Sequence, residues 1–125
     1  MQNKVVLITG ASSGIGKALA EKFASEGWNL VLAARRTDRL NKLEKALNNV
    51  EVLSVKTDVT KEEDCKNLIE SAIQKFGRID VLINNAGISM RASFEDVEMD
   101  VLRQLMDVNY WGTVYCTKYA LAHLI

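Results

Sequence analysis

Proline is absent from the 125 residues, and only two cysteines and one histidine occur. Without proline, no helix is broken by it and no proline-rich linker divides the chain. Cys65 and Cys116 could form one bridge at most, which excludes a disulfide scaffold and makes a reducing compartment the easier reading. Neither thiol has a histidine positioned by the sequence to activate it, and both read as packing residues. His123, the lone histidine, has no companions at metal-ligand spacing. Charge of one sign is also missing: 16 Lys+Arg balance 16 Asp+Glu. Such a chain has no long-range field to gather nucleic acid or an anionic membrane surface. With no net charge behind them, Trp111, Tyr115 and Tyr119 read as packing or subunit contacts rather than a base-stacking platform. Long apolar runs are lacking too, and Met1-Gln2-Asn3-Lys4 leads straight into a strand-like stretch, so neither a signal peptide nor a membrane span is expected. The expectation is a soluble, cytoplasmic domain occupying residues 1–125 without an internal boundary.

What is present is an alternation of two patterns. Short apolar runs occur at Val5-Val6-Leu7-Ile8, Leu30-Val31-Leu32-Ala33, 50–55 and Val81-Leu82-Ile83. The first, second and fourth are apolar on both faces, as parallel strands covered by helices should be. In the third, Glu51, Ser54 and Lys56 interleave with Val50, Val52 and Leu53, which predicts an edge strand. Helical periods lie between. Ile15, Leu19 and Phe23 mark the first, ended by Gly27; Leu40, Leu43 and Leu47 mark the second, with Thr37 as its expected N-cap. The third is the clearest: Cys65, Leu68, Ile69, Ala72, Ile73 and Phe76 form one stripe, opened by the capping-box pattern Thr60-x-x-Glu63 and closed by Gly77. Two further helices are predicted over 93–108 and from Tyr110 onward. The order βαβαβαβ followed by helices implies an α/β, Rossmann-type doubly wound parallel sheet. Ligands of such sheets bind beyond the carboxyl ends of the strands.

Directly after Ile8 comes Thr9-Gly10-Ala11-Ser12-Ser13-Gly14-Ile15-Gly16. Glycines here let the main chain approach a pyrophosphate, and the helix that follows offers free N–H groups and a positive dipole end. A Walker-A loop fails twice, because its first glycine would fall on Ala11 and its hydroxyl on Ala18. Dinucleotide folds usually place an acidic residue at the end of the second strand to hold the ribose hydroxyls. This sequence has Ala33-Ala34-Arg35-Arg36 instead. A carboxylate would repel a 2′-phosphate, whereas guanidinium groups bind it bidentately, so the arginines favour NADP (NADPH) over NAD.

Together with Asp58-Val59 after the third strand, Asn84-Asn85-Ala86-Gly87 after the fourth and Asn109 in the next helix, this glycine pattern resembles the short-chain dehydrogenase/reductases over the whole chain. The resemblance implies a pyrophosphate turn at Gly10, Ser12, Ser13, Gly14, Ile15 and Gly16 and a 2′-phosphate site at Arg35 and Arg36. It implies an adenine contact at Asp58, with Val59 on the ring, and a ribose-side segment at Asn85, Ala86 and Gly87. It places the family's catalytic asparagine, which stabilises a helix kink and holds a relay water, at Asn109. The implied activity is hydride transfer between nicotinamide and a carbonyl or secondary alcohol in a homo-oligomeric enzyme, with no nucleic-acid or membrane partner and no metal.

One departure stands out. The family's Tyr-x-x-x-Lys pair has no counterpart: four residues beyond Tyr110, Tyr115 and Tyr119 stand Val114, Tyr119 and His123. On this reading the sequence is an N-terminal cofactor-binding half that lacks its acid. The alternative is a dinucleotide-binding or structural module that carries out no chemistry.

Overall fold

A computed structural model describes residues 4–12, 14–86, 99, 103 and 107–124. The four expected strands are β1 (Val5–Thr9), β2 (Asn29–Ala34), β3 (Val52–Lys56) and β4 (Val81–Ile83). They form one parallel sheet in the order β3-β2-β1-β4, with Leu7 beside both Val31 and Leu82, and Val31 beside Leu53. Strand order reverses direction at β1, which is where such sheets open a crevice for a ligand.

The pleat sends alternate residues of the central strands into two separate cores. Val5 and Leu7 of β1, with Val31 and Ala33 of β2, pack against Cys65, Leu68, Ile69 and Ala72 of α3 (Glu62–Phe76) and Cys116 and Ala120 of α4 (Gly112–Ala120). Val6, Ile8, Leu30 and Leu32 face the other way, onto Ala20 and Ala24 of α1 (Gly14–Ser25) and Leu40 and Leu43 of α2 (Thr37–Ala46). All five residues of β1 are buried, while β3 and β4 are half-buried at the two margins of the described sheet. β3 starts at Val52, two residues later than the apolar run beginning at Val50.

Helix ends follow the sequence at their C-termini and depart from it at their N-termini. Gly77 closes α3 in the left-handed conformation and its N–H donates to the Ile73 carbonyl. Thr37 is the first helical residue of α2, not its cap; Arg36 stands at the N-cap and makes no side-chain capping bond. The Thr60–Glu63 box does not form either. The Thr60 hydroxyl donates to Asp58 Oδ1 at 2.6 Å and is thereby spent, so α3 begins a residue later, at an N-cap Lys61 without a side-chain bond. Asp64 in the first turn instead accepts the Asp58 N–H at 2.9 Å. Near the end of the chain a π-helical turn, Asp107–Trp111, runs directly into α4. The helix expected over 93–108 falls mostly outside the described residues, and the one expected from Tyr110 begins as this wider turn.

Candidate functional site: the carboxyl edge of the sheet

Gly10 leaves β1 with φ +63°, and Gly14 enters α1 with φ +59°. Both values lie in the left-handed region that a side chain makes costly. The turn between them is pressed onto the segment after β4. A Cβ on Gly10 would meet Ala86 Cα at 2.9 Å, and one on Gly16 would meet the Gly10 carbonyl oxygen and, at 2.6 Å, Asn85 Nδ2. Around Gly14, by contrast, there is open space: nothing lies within 4 Å of a Cβ built there. Ile15 beside it is 72% exposed, an apolar side chain left uncovered on the first turn of α1.

Thr9 joins the two segments. Its buried Oγ1 accepts the N–H groups of Asn85 and Ala86, each at 3.0 Å, and donates to the Ile83 carbonyl at 3.5 Å. Asn85 Nδ2 returns a bond to the Gly10 carbonyl at 3.1 Å, and the Ala11 N–H reaches the Ala33 carbonyl of β2. Asn84 Nδ2 donates to Thr117 Oγ1 at 3.2 Å and so fastens the end of β4 to α4. The expectation named Gly10, Asn85 and Ala86 but not Thr9, whose place as the last residue of a buried strand beside the first turn glycine was the available signal. Ser13 and Gly87 lie outside the described residues.

Beyond β3, burial pushes the Asp58 carboxyl up, but the Thr60 hydroxyl and N–H together with the charges of Arg35 and Lys61 outweigh it, and the carboxyl is held below its ordinary value. A cavity of about 370 Å³ is lined here by Arg35, Lys56, Asp58, Lys61 and Asp64. Val59 follows, largely buried, and α4 comes so close that a Cβ on Gly112 would meet Val59 Cγ2 at 2.7 Å. Asn109 sits in the middle of the π-helical turn that precedes Gly112. A second, larger groove of about 550 Å³ runs between α1 and α2, from Ser12 and Gly14 past Lys17, Glu21, Arg39 and Lys42 to an apolar floor at Leu43, Ala46 and Leu47. The sequence reading missed it, because its walls come from two helices whose packing only the fold reveals.

The open turn over Gly14, the backbone-to-backbone contact at Gly10 and the N-terminus of α1 together fit a pyrophosphate, which needs close main-chain approach and free N–H donors. A family profile described as short chain dehydrogenase matches residues 4–125. The chain belongs to the short-chain dehydrogenase family. Among relatives in this family, an 11-beta-hydroxysteroid dehydrogenase of Pinus massoniana is 48% identical over 128 residues, covering 99% of this chain and 36% of that protein. The 11-beta-hydroxysteroid dehydrogenase-like 2 of Arabidopsis thaliana is 45% identical over 125 residues, covering 97% of this chain and 41% of that protein. The chain thus spans well under half the length of these curated relatives. Among solved structures, an alcohol dehydrogenase of the archaeon Thermococcus sibiricus complexed with 5-hydroxy-NADP superposes with a TM-score of 0.95 at 34% identity, over 98% of this chain and 53% of that one. A short-chain dehydrogenase/reductase of Burkholderia phymatum in complex with NAD gives 0.94 at 32% identity, over 98% and 44%. Among the described residues, no helix is long and apolar enough to cross a membrane, and no group of three or more His, Cys, Asp or Glu side chains could hold a metal ion.

Proposed function

We propose that this chain binds NADP as part of an oxidoreductase that acts on a carbonyl or secondary alcohol. The observation that carries the proposal is the end of β2. Ala34 is followed by the exposed Arg35 and Arg36, with no carboxylate at the position that would hold free ribose hydroxyls. A 2′-phosphate is favoured there by charge and by guanidinium geometry. Gly10 and Gly14 would carry the pyrophosphate on the backbone, with Ser12, Ser13, Ile15 and Gly16 completing the turn. Asp58, with Oδ1 engaged by Thr60, keeps its other oxygen to accept from the adenine amine, and Val59 would pack on the ring. Asn85, Ala86 and Gly87 would line the ribose side, and Asn109 would position a water in a proton relay. When bound, the nicotinamide supplies or accepts the hydride; the turn and the cations orient it from the adenosine end. The hydroxysteroid dehydrogenase names of the relatives favour an alicyclic secondary alcohol or its ketone as the substrate class.

Calorimetric titration of NADPH and NADH into the chain tests the cofactor assignment. NADPH is expected to bind tighter by about 1.5–3 kcal/mol, as charge-assisted hydrogen bonds to a phosphate commonly give. Arg35→Ala should remove much of that difference. Equal affinity for the two dinucleotides would refute the assignment.

A further inference from the structure

Cys65 and Cys116, the two thiols of the chain, take no part in the site at the carboxyl edge of the sheet, yet the fold brings them together. Cys65 belongs to α3 and Cys116 to α4, and both are fully buried in one core, in the company of Leu68, Ala72 and Ala120. Val59 marks the place where the helices meet. Cys65 Sγ donates to the Val59 carbonyl at 3.6 Å, and a Cβ on Gly112, one turn before Cys116, would stand 3.2 Å from that same oxygen. The other hydrogen-bond partner of the Cys65 thiol is the Cys116 sulfur.

That contact makes the two sulfurs unequal. The hydrogen bond from Cys65 stabilises a thiolate on Cys116 and brings its pKa down against the opposing effect of burial. The same bond, burial and the charges of Asp64 and Asp58 push the Cys65 thiol up, so Cys65 keeps its proton. The thiolate is the nucleophilic form of cysteine, and here a second thiol supplies the activation for which the sequence offers no histidine.

We propose that Cys65 and Cys116 form a redox modification site at the α3–α4 seam, where a hydroperoxide converts the two thiols into a disulfide. The Cys116 sulfur attacks one peroxide oxygen, the O–O bond breaks, and the other oxygen leaves as water or an alcohol with the proton that Cys116 gave up. The Cys65 sulfur then attacks the sulfenic acid so formed; the S–S bond closes, and the hydroxyl leaves as water with the Cys65 proton. Two electrons pass from the thiols to the peroxide. Burial sets the selectivity: a small peroxide enters by local opening of α4 from α3, and Cys65 is the thiol standing beside the sulfenic acid. The bond staples together two helices and closes a loop of about 50 residues.

Mass spectrometry of the folded chain after treatment with hydrogen peroxide tests the site. The expected product is a monomer lighter by two hydrogen atoms, with the peptides that hold Cys65 and Cys116 joined, and with both thiols restored by dithiothreitol. Oxygen added to either cysteine without joined peptides, a disulfide formed only between chains, or no reaction at all overturns the site, and none of these outcomes depends on a variant. The order of attack is read with dimedone, which traps a sulfenic acid. Cys65→Ser, whose hydroxyl still donates to Cys116, should be labelled at Cys116, and Cys116→Ser should stay unlabelled at the same dose of peroxide. In urea the two variants should label alike, which ties the difference to the fold. Equal labelling of the folded variants overturns the assignment of Cys116 as the attacking thiol.

Discussion

Gly10 and Gly14 share a left-handed backbone but differ in surroundings, and the difference can be measured. At Gly14 an alanine pays only for its backbone conformation, about 1–2 kcal/mol, because no atom lies within 4 Å of the new methyl. At Gly10 the same strain is joined by contact with Ala86 Cα at 2.9 Å, and main chain cannot swing aside as a side-chain tip can. Gly10→Ala is therefore expected to lower stability by more than Gly14→Ala in urea unfolding, and to weaken NADPH as it pushes the turn off the post-β4 segment. Equal losses in the two variants would show that the close approach is not a constraint. Both glycines were legible in the sequence because the spacing of the turn is local. Thr9 was less so: a buried hydroxyl accepting two N–H groups needs a partner segment supplied from the far end of β4.

Elements are held in register by polar groups at their ends as much as by the two cores. Asp80, just before β4, accepts the Val5 N–H at 2.8 Å with Oδ2 and is chelated by Arg78, at 2.9 Å through Nε and 2.6 Å through a terminal nitrogen. The bond to Arg78 holds the Asp80 carboxyl below its ordinary value of 3.8, with the Val5 N–H and the Lys4 charge aiding against burial. A depressed carboxyl stabilises the fold above its unfolded pKa and loses that contribution as pH falls through the folded one. Asp80→Asn keeps an acceptor for Val5 and removes the charge. At pH 7 it should cost about 0.5–1 kcal/mol, the scale of a partly exposed ion pair rather than of a buried charged hydrogen bond. The deficit should shrink as pH is lowered through and below about 4; a deficit constant from pH 7 to pH 3 would argue against the ion pair as its source. The stripe of α3 was fully readable, since the period from Cys65 to Phe76 is a property of consecutive residues. Its N-terminus was not, because Asp58, outside the helix, takes the Thr60 hydroxyl that the capping pattern requires. The π-helical turn at Asp107–Trp111 left no mark in composition or period. The groove between α1 and α2 could not be seen either, for its two walls come together only once both helices lie on the same side of the sheet.

At the scale of the molecule, β1 and β2 each have a strand on both sides, whereas β4 pairs with β1 alone among the described residues. Val81, Leu82 and Ile83 are half-buried, and among the described residues no strand pairs with the outer, apolar margin of β4. Near the other end, Tyr110 and Trp111 are 52% and 43% exposed and stack edge to face at 5.2 Å. The chain by itself should therefore self-associate: light scattering over a dilution series is expected to show a mass that rises with concentration. A constant monomer mass at every concentration would mean that this margin is covered. The order of the sheet matters before any ligand arrives. The bonds that Asn85 and Ala86 donate to Thr9 close loops of 76 and 77 positions, while β1, α1 and β2 are complete once Ala34 is made. As the chain leaves the ribosome, the β1–β2 pair can form early, but the turn at Gly10 has nothing to rest on until Ala86 has emerged. The glycine turn, encoded among the first residues, thus sets later than the two strands it joins.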